Sequence, residues 1–136
     1  MELRLLKSMT YLKLYLFAAL AFFPLDMIWL GWIGRPIYNR QIGHLMAEQV
    51  DWAAAGIFYS IFLAGLLYFV VVPTLNGTSG EVLLRGALFG VITYATYEFT
   101  NKAVLATWPW PIVIVDVLWG AVLCAITAWV SWRFGR

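Results

Sequence analysis

PIVIVDVLWGAVLCAITAWVSWRF, residues Pro111 to Phe134, carries one charged residue, Asp116, before Arg133 near its end. A transmembrane helix needs roughly 20 predominantly apolar residues at about 1.5 Å rise each, and this run is long enough. Working back along the chain, Val82 to Leu105, Trp52 to Pro73 and Tyr11 to Ile33 meet the same length requirement. The whole composition agrees: of 136 residues 63% are hydrophobic and only 12% charged, which excludes an ordinary water-soluble domain. The predicted fold class is therefore all-α, an integral membrane bundle of four transmembrane helices forming a single transmembrane domain over residues 1–136.

The connections fit that frame. Arg35 to Asp51 is polar and is expected to hold a short interfacial helix from Asn39 to Gln49, TLNGTSG (Thr74 to Gly80) is a turn cluster, and TWPWP (Thr107 to Pro111) reads as a rigid aromatic hairpin. Arg4, Lys7 and Lys13 before Leu14 to Ala21 resemble the start of a secretory signal, but the apolar character continues through Asp26 to Gly34, so a retained first membrane helix is expected. The single cysteine, Cys124, lies in an apolar stretch; no internal disulfide and no multi-cysteine metal site is possible. One histidine is too few for a zinc or di-iron site, so no metal is expected, and no cofactor is named by these residues. The net charge of +2 comes from scattered Lys and Arg and gives no basic stripe for nucleic acid.

Lys and Arg concentrate on cytoplasmic flanks. Arg4, Lys7, Lys13, Arg85, Arg133 and Arg136 outnumber Arg35, Arg40 and Lys102 on the other side, so both termini are expected to be cytoplasmic. Under that orientation Trp29, Trp32, Trp52, Trp108 and Trp110 form an outer aromatic belt and Tyr11, Trp129 and Trp132 an inner one.

Asp26, Glu98, Lys102 and Asp116 interrupt the apolar runs, and each costs about 2.5–3.5 kcal/mol on insertion scales if placed at mid-membrane. All fall in the outer half, where Asp26, Glu98 and Asp116 are expected to converge on one pocket; the inner half offers mainly Leu, Ala, Val and Phe, which argues against a continuous polar path. At 100° per residue Tyr15, Ala19, Phe22, Asp26, Trp29 and Ile33 share one stripe, and Asp116, Trp119, Gly120, Leu123 and Thr127 share another. Asp-x-x-Trp thus occurs in the first and last spans, offering a carboxylate and an indole to one ligand, or to a neighbouring helix as plain packing. The third span has two stripes. Gly86-x-x-x-Gly90 permits close approach of another helix, including that of a membrane-protein partner or a second copy, and Tyr94, Glu98, Asn101 and Lys102 lie on the other, with Glu98 and Lys102 spaced for an ion pair. Ala53 to Gly56 should pack the second span tightly, with Tyr59 and Ser60 facing the site; Tyr97 adds a wall, and Arg35, Tyr38, Arg40 and His44 contribute from the loop.

The series Asp26-x-x-Trp29-Leu30, Arg35-x-x-Tyr38, Ala55 to Tyr59, Tyr94-x-x-Tyr97-Glu98-x-Thr100-Asn101, Trp108-Pro109 and Asp116-x-x-Trp119-Gly120 resembles the bacterial predicted membrane proteins called domain of unknown function twenty-one seventy-seven. The resemblance covers nearly the whole chain; the family more often has Asp where this chain has Glu98. It implies a multi-pass protein of the bacterial cytoplasmic membrane in an envelope-lipid context, without an established activity. The leading functional expectation is binding or processing of a lipid, quinone or isoprenoid-like amphiphile. Asp26, Glu98 and Asp116 would anchor it, Asn101 and Lys102 orient its head, and Trp29, Trp119, Tyr94 and Tyr97 form walls. The alternatives are an accessory subunit of a membrane complex, and proton or cation transfer. Membrane lipids are the expected surroundings.

Overall fold

A computed structural model describes residues Met1–Arg136 and is helical throughout, with no strand. Helix α1 runs Glu2–Ile28 and continues as a π-helical turn, Trp29–Ile33. Its start precedes the expected span boundary at Tyr11, because no Gly or Pro interrupts Glu2 to Thr10 and polar residues continue a helix as readily as apolar ones. Pro24 lies within α1. A short helix α2, in the segment expected to be interfacial, spans Arg35–Ile42, followed by a 3₁₀ turn Gly43–Leu45. It thus begins earlier than the expected Asn39 and stops well short of Gln49, since Pro36 is pre-set for a first helical turn. Helix α3, Trp52–Leu66, extends through a second π turn, Leu67–Val71, and a 3₁₀ turn, Val72–Thr74. Helices α4, Ser79–Val104, and α5, Trp110–Gly135, complete the chain.

Local signals set these boundaries. The Asp51 carboxylate accepts from the Ala54 N–H at 3.0 Å and caps α3. Thr78 Oγ1 accepts from the Glu81 N–H at 3.2 Å and caps α4, where Glu81 and Arg85 form an ion pair at 3.1 Å. Pro109 and Pro111 bracket the first turn of α5.

Helix α5 occupies the centre, buried against α1 on one side and α4 on the other. The α1 contact closes where the Ser131 hydroxyl donates to the Leu14 carbonyl at 2.7 Å and Gly135 abuts the Leu14 backbone. The α4 contact closes where Gly86 and Gly90 lie on the α5 backbone at Cys124, Ala125 and Gly120. The expected surface for a partner or second copy at Gly86 and Gly90 is therefore occupied within the chain. The two stripes read on this helix also merge: Val82, Gly86, Gly90 and Glu98 are all buried on one seam. Small residues were required there, but the helix they admit is α5. By contrast Ala53, Ala54 and Gly56 do not pack α3 tightly; the alanines are exposed and no atom lies within 4 Å of where a Gly56 side chain would begin.

The loops sort to two ends. His44 Nε2 and Thr107 Oγ1 are 3.1 Å apart, joining the α2 segment to the α4–α5 hairpin. At the opposite end the Trp132 indole donates to the Thr74 carbonyl at 2.8 Å, and Arg136 donates to the Leu75 carbonyl at 3.3 Å. Three helical stretches, Glu2–Ile33, Trp52–Thr74 and Trp110–Gly135, are long and apolar enough to cross a membrane. Helix α4 is 26 residues long but carries Glu81, Arg85, Glu98 and Lys102, and does not join them on composition.

Candidate functional site

Two carboxylate clusters lie at the α2 and hairpin end. The first begins with Asp26, 5% exposed, on the buried stripe Leu14, Ala18, Phe22 and Asp26 of α1. A buried carboxylate needs donors, and two are aimed at it. The Tyr59 hydroxyl of α3 donates to Oδ2 at 2.8 Å and the Trp119 indole N–H of α5 donates to Oδ1 at 3.3 Å. The second Asp-x-x-Trp pair reciprocates through one intermediary: the Trp29 N–H donates to the Tyr38 hydroxyl at 2.9 Å, and that hydroxyl donates to Asp116 Oδ1. The two indoles stack face to face, centroids 4.6 Å apart and planes 10° from parallel. The π turn at Trp29–Ile33 holds Trp29 in this position, with the Gly34 N–H closing on the Trp29 carbonyl at 2.7 Å. A side chain at Gly34 would meet the rings of both Trp29 and Tyr38 at 2.8 Å, so this glycine is what lets the two close over one another. Tyr94 joins through its ring, packed on Gly120 and edge-on to Phe62.

The second cluster centres on Glu98, which is fully buried. The Trp108 indole donates to Glu98 Oε2 at 2.7 Å, while Oε1 has no hydrogen-bond partner. Trp108 stands edge-on to Tyr97 and packs with Ile42, Ile112 and Val113, a group that Tyr38 also touches. Tyr38 is thus the link between the clusters. A polar recess of about 250 Å³ opens beside Trp108, bordered by Gln41, Lys102 and Thr107.

A family model described as Predicted membrane protein (DUF2177) matches residues 11–133, a stretch that contains every member of both clusters. The chain belongs to this family. No curated protein and no solved structure matches it.

The DUF2177 chain departs from several sequence expectations at this site. Glu98 and Lys102 form no ion pair: Glu98 faces inward to Trp108, while the Lys102 ammonium lies 5.2 Å from the centre of the Trp110 ring. Helical spacing permitted the pair, but burial of Glu98 under the hairpin put an indole donor in reach and left Lys102 half-buried against Trp110. Arg35 and Arg40 are exposed and pair with no carboxylate. Tyr97 is 57% exposed, so it backs Trp108 and does not line the Asp26 cluster. Asn101 contributes its carbonyl, which accepts from the Leu105 N–H at 2.9 Å to end α4. The Ser60 hydroxyl turns back to the Gly56 carbonyl at 2.7 Å instead of facing the site. His44 stays in the loop against Thr107.

Sequence reasoning placed Trp108 in the surface belt and gave Tyr38 only a loop role, yet each donates to a carboxylate. The signal for Trp108 was TWPWP itself, a rigid turn ten residues from Glu98 that folds an indole back onto α4. Asp26, Glu98 and Asp116 have no basic group within ion-pair distance, and no group of three or more His, Cys, Asp and Glu is placed to hold a metal ion. The arrangement accepts hydrogen bonds.

Proposed function

We propose that this DUF2177 protein is a four-span protein of the bacterial cytoplasmic membrane, forming one transmembrane domain with both termini inside. It binds the head of a lipid, quinone or isoprenoid-like amphiphile in its outer half. The fourth span is α4. In support, its first turn lies with Leu75 and Arg136 and its far end with Thr107 and His44, so it runs the length of the bundle. Burial of α4 on α5 lets Glu98 cross without touching lipid, which is where polar side chains are tolerated in membrane proteins.

The observation that carries the binding reading is Glu98 Oε1, a buried oxygen with no hydrogen-bond partner on a carboxylate that forms no ion pair. An unsatisfied buried polar group is rare and costly, and a head group offering an N–H, an O–H or a positive charge would satisfy it. The adjoining recess supplies Lys102, Gln41 and Thr107 for the rest of that head. Asp26, Asp116, Trp29, Trp119 and Tyr94 brace the recess from behind through Tyr38, which bonds Asp116 and packs on the Trp108 group.

A second reading, a purely structural bolt within an accessory subunit, is favoured by the first cluster, where both oxygens of Asp26 already accept hydrogen bonds. Proton or cation transfer finds less support, because the other half is closed by Leu14, Leu66, Val71, Leu123 and Ala128.

Native mass spectrometry of gently extracted protein, beside its melting temperature, separates these readings. Glu98→Gln is expected to remain folded, since no ion pair is broken, and to lose copurifying amphiphile. Asp26→Asn and Asp116→Asn are expected to lower ligand content as this bracing shifts. Unchanged ligand content in all three variants, or no ligand in the wild type, would leave the structural bolt as the function.

A further inference from the structure

An open apolar groove lies between α1 and α5. It has a volume of about 510 Å³ and is walled by Phe17, Leu20 and Pro24 from α1 and by Ile126, Val130 and Phe134 from α5. From Phe17 to Pro24 its axial length is about 10 Å at 1.5 Å rise per residue, and nearly every atom it presents is apolar. An open apolar surface of this length can lie against part of an alkyl chain.

The end of the groove toward the chain termini decides which alkyl chain. There the Phe17 and Phe134 rings meet, 6.0 Å between centroids. Lys13 precedes Phe17 by one helical turn and so stands on the same stripe, beyond the ring. Arg133 follows Val130 by three residues, and its guanidinium lies 5.5 Å from the centre of the Phe134 ring. Leu14 is clasped between Ser131 and Gly135, which sets Lys13 and Arg133 at the same height on the two helices. Both are exposed and neither is paired with a carboxylate. Arg136, although nearby in sequence, is engaged elsewhere: its guanidinium lies 3.8 Å from the Trp132 ring and donates to the Leu75 carbonyl.

We propose that the α1–α5 groove is a binding site for an anionic phospholipid, with one acyl chain along Phe17, Pro24 and Val130 and the phosphate held by Lys13 and Arg133. Long basic side chains at a span end extend toward the head-group layer while their stems cover apolar surface, which suits both residues to this task. Each cation near an anionic surface favours the bound lipid about fivefold. Its phosphate end, at Lys13 and Arg133, lies at the opposite end of the bundle from Glu98, and the site does not depend on an amphiphile there.

The test exchanges full-length protein into phosphatidylglycerol or phosphatidylcholine of identical acyl chains and counts retained lipid by native mass spectrometry. Wild type is expected to retain phosphatidylglycerol preferentially. Lys13→Gln and Arg133→Gln, both exposed substitutions that leave the packing intact, should each reduce that retention about fivefold, and the double variant should erase the preference. Ala21→Phe, which fills the groove, should lower retention of both lipids, whereas Arg136→Gln should leave the preference unchanged. Equal retention of the two lipids by wild type would overturn the site. So would a loss in Arg136→Gln matching that in Arg133→Gln, because it would reveal a diffuse basic collar in place of a defined pair.

Discussion

Asp26 and Asp116 stand on antiparallel helices, and each is served by the tryptophan of the other's helix. The Trp119 N–H reaches Asp26 directly, and the Trp29 N–H reaches Asp116 through the Tyr38 hydroxyl. Stacking of the indoles fixes both donors at once, so the polar groups hold α1, α2 and α5 in one register. Tyr59 adds α3 to the same carboxylate. Tyr59→Phe keeps the ring and removes only this donor, and side-chain hydrogen bonds within membranes average about 0.6 kcal/mol with a maximum near 1.7. Thermal or denaturant unfolding in detergent should show a loss in that range. Tyr15→Phe serves as the control, since its hydroxyl reaches only a backbone carbonyl at 3.3 Å on an exposed face, and it should cost less. An equal effect for the two would mean that Asp26 gains nothing particular from Tyr59. The Asp-x-x-Trp spacing was legible in the chain because helical geometry decides which residues share a face. The exchange of donors was not, because periodicity along one helix says nothing about which residue of another lies opposite.

At the scale of elements, α4 and α5 form the tightest pair. Gly90 lies so close to the Gly120 carbonyl and the Ala121 nitrogen that a Cβ at this position would overlap backbone atoms, which cannot rotate away as a side chain would. Gly90→Ala is therefore expected to push α4 off α5 and destabilise the bundle by about 1–3 kcal/mol, the usual range for overpacking. It should also disturb the Glu98–Trp108 contact two turns along, visible as a change in tryptophan fluorescence. Oligomeric state in detergent should stay as in wild type, because the seam is internal; dissociation of an oligomer in Gly90→Ala would return the glycines to an outer interface. The small-x-x-x-small pattern thus announced a close helix contact, while the identity of the partner came only from the folded chain. Helix α2 makes the same point differently. Its existence followed from the polar segment between two spans, but its register depended on Pro36 and on the hydrophobic contact of Ile42 with Ile112 and Val113.

Over the whole molecule, the ends of the bundle make topology testable. Single cysteines in a Cys124→Ser background at Asn39, Asn76 and Ala106, all exposed, report the three connections. Asn76 is preferable to its neighbour Thr78, whose hydroxyl caps α4. Membrane-impermeant labelling of intact cells should reach Asn39→Cys and Ala106→Cys from outside, and Asn76→Cys only after permeabilisation. Protection of Ala106→Cys together with Asn76→Cys would mean that α4 does not cross, and the four-span arrangement would fail.

Composition and the lengths of its apolar runs were enough for this chain to declare a helical membrane protein, because the cost of exposing backbone polar groups to lipid leaves few other structures for such segments. The residues of DUF2177 were likewise readable along one dimension, block by block. Tertiary structure alone decided their company: Lys102 went to Trp110 and not to Glu98, Trp108 left the surface for Glu98, and Gly86 and Gly90 met α5. Each of these depends on the distance between helices remote in sequence, set by shape and close packing over the whole bundle, and no spacing along the chain encodes that distance.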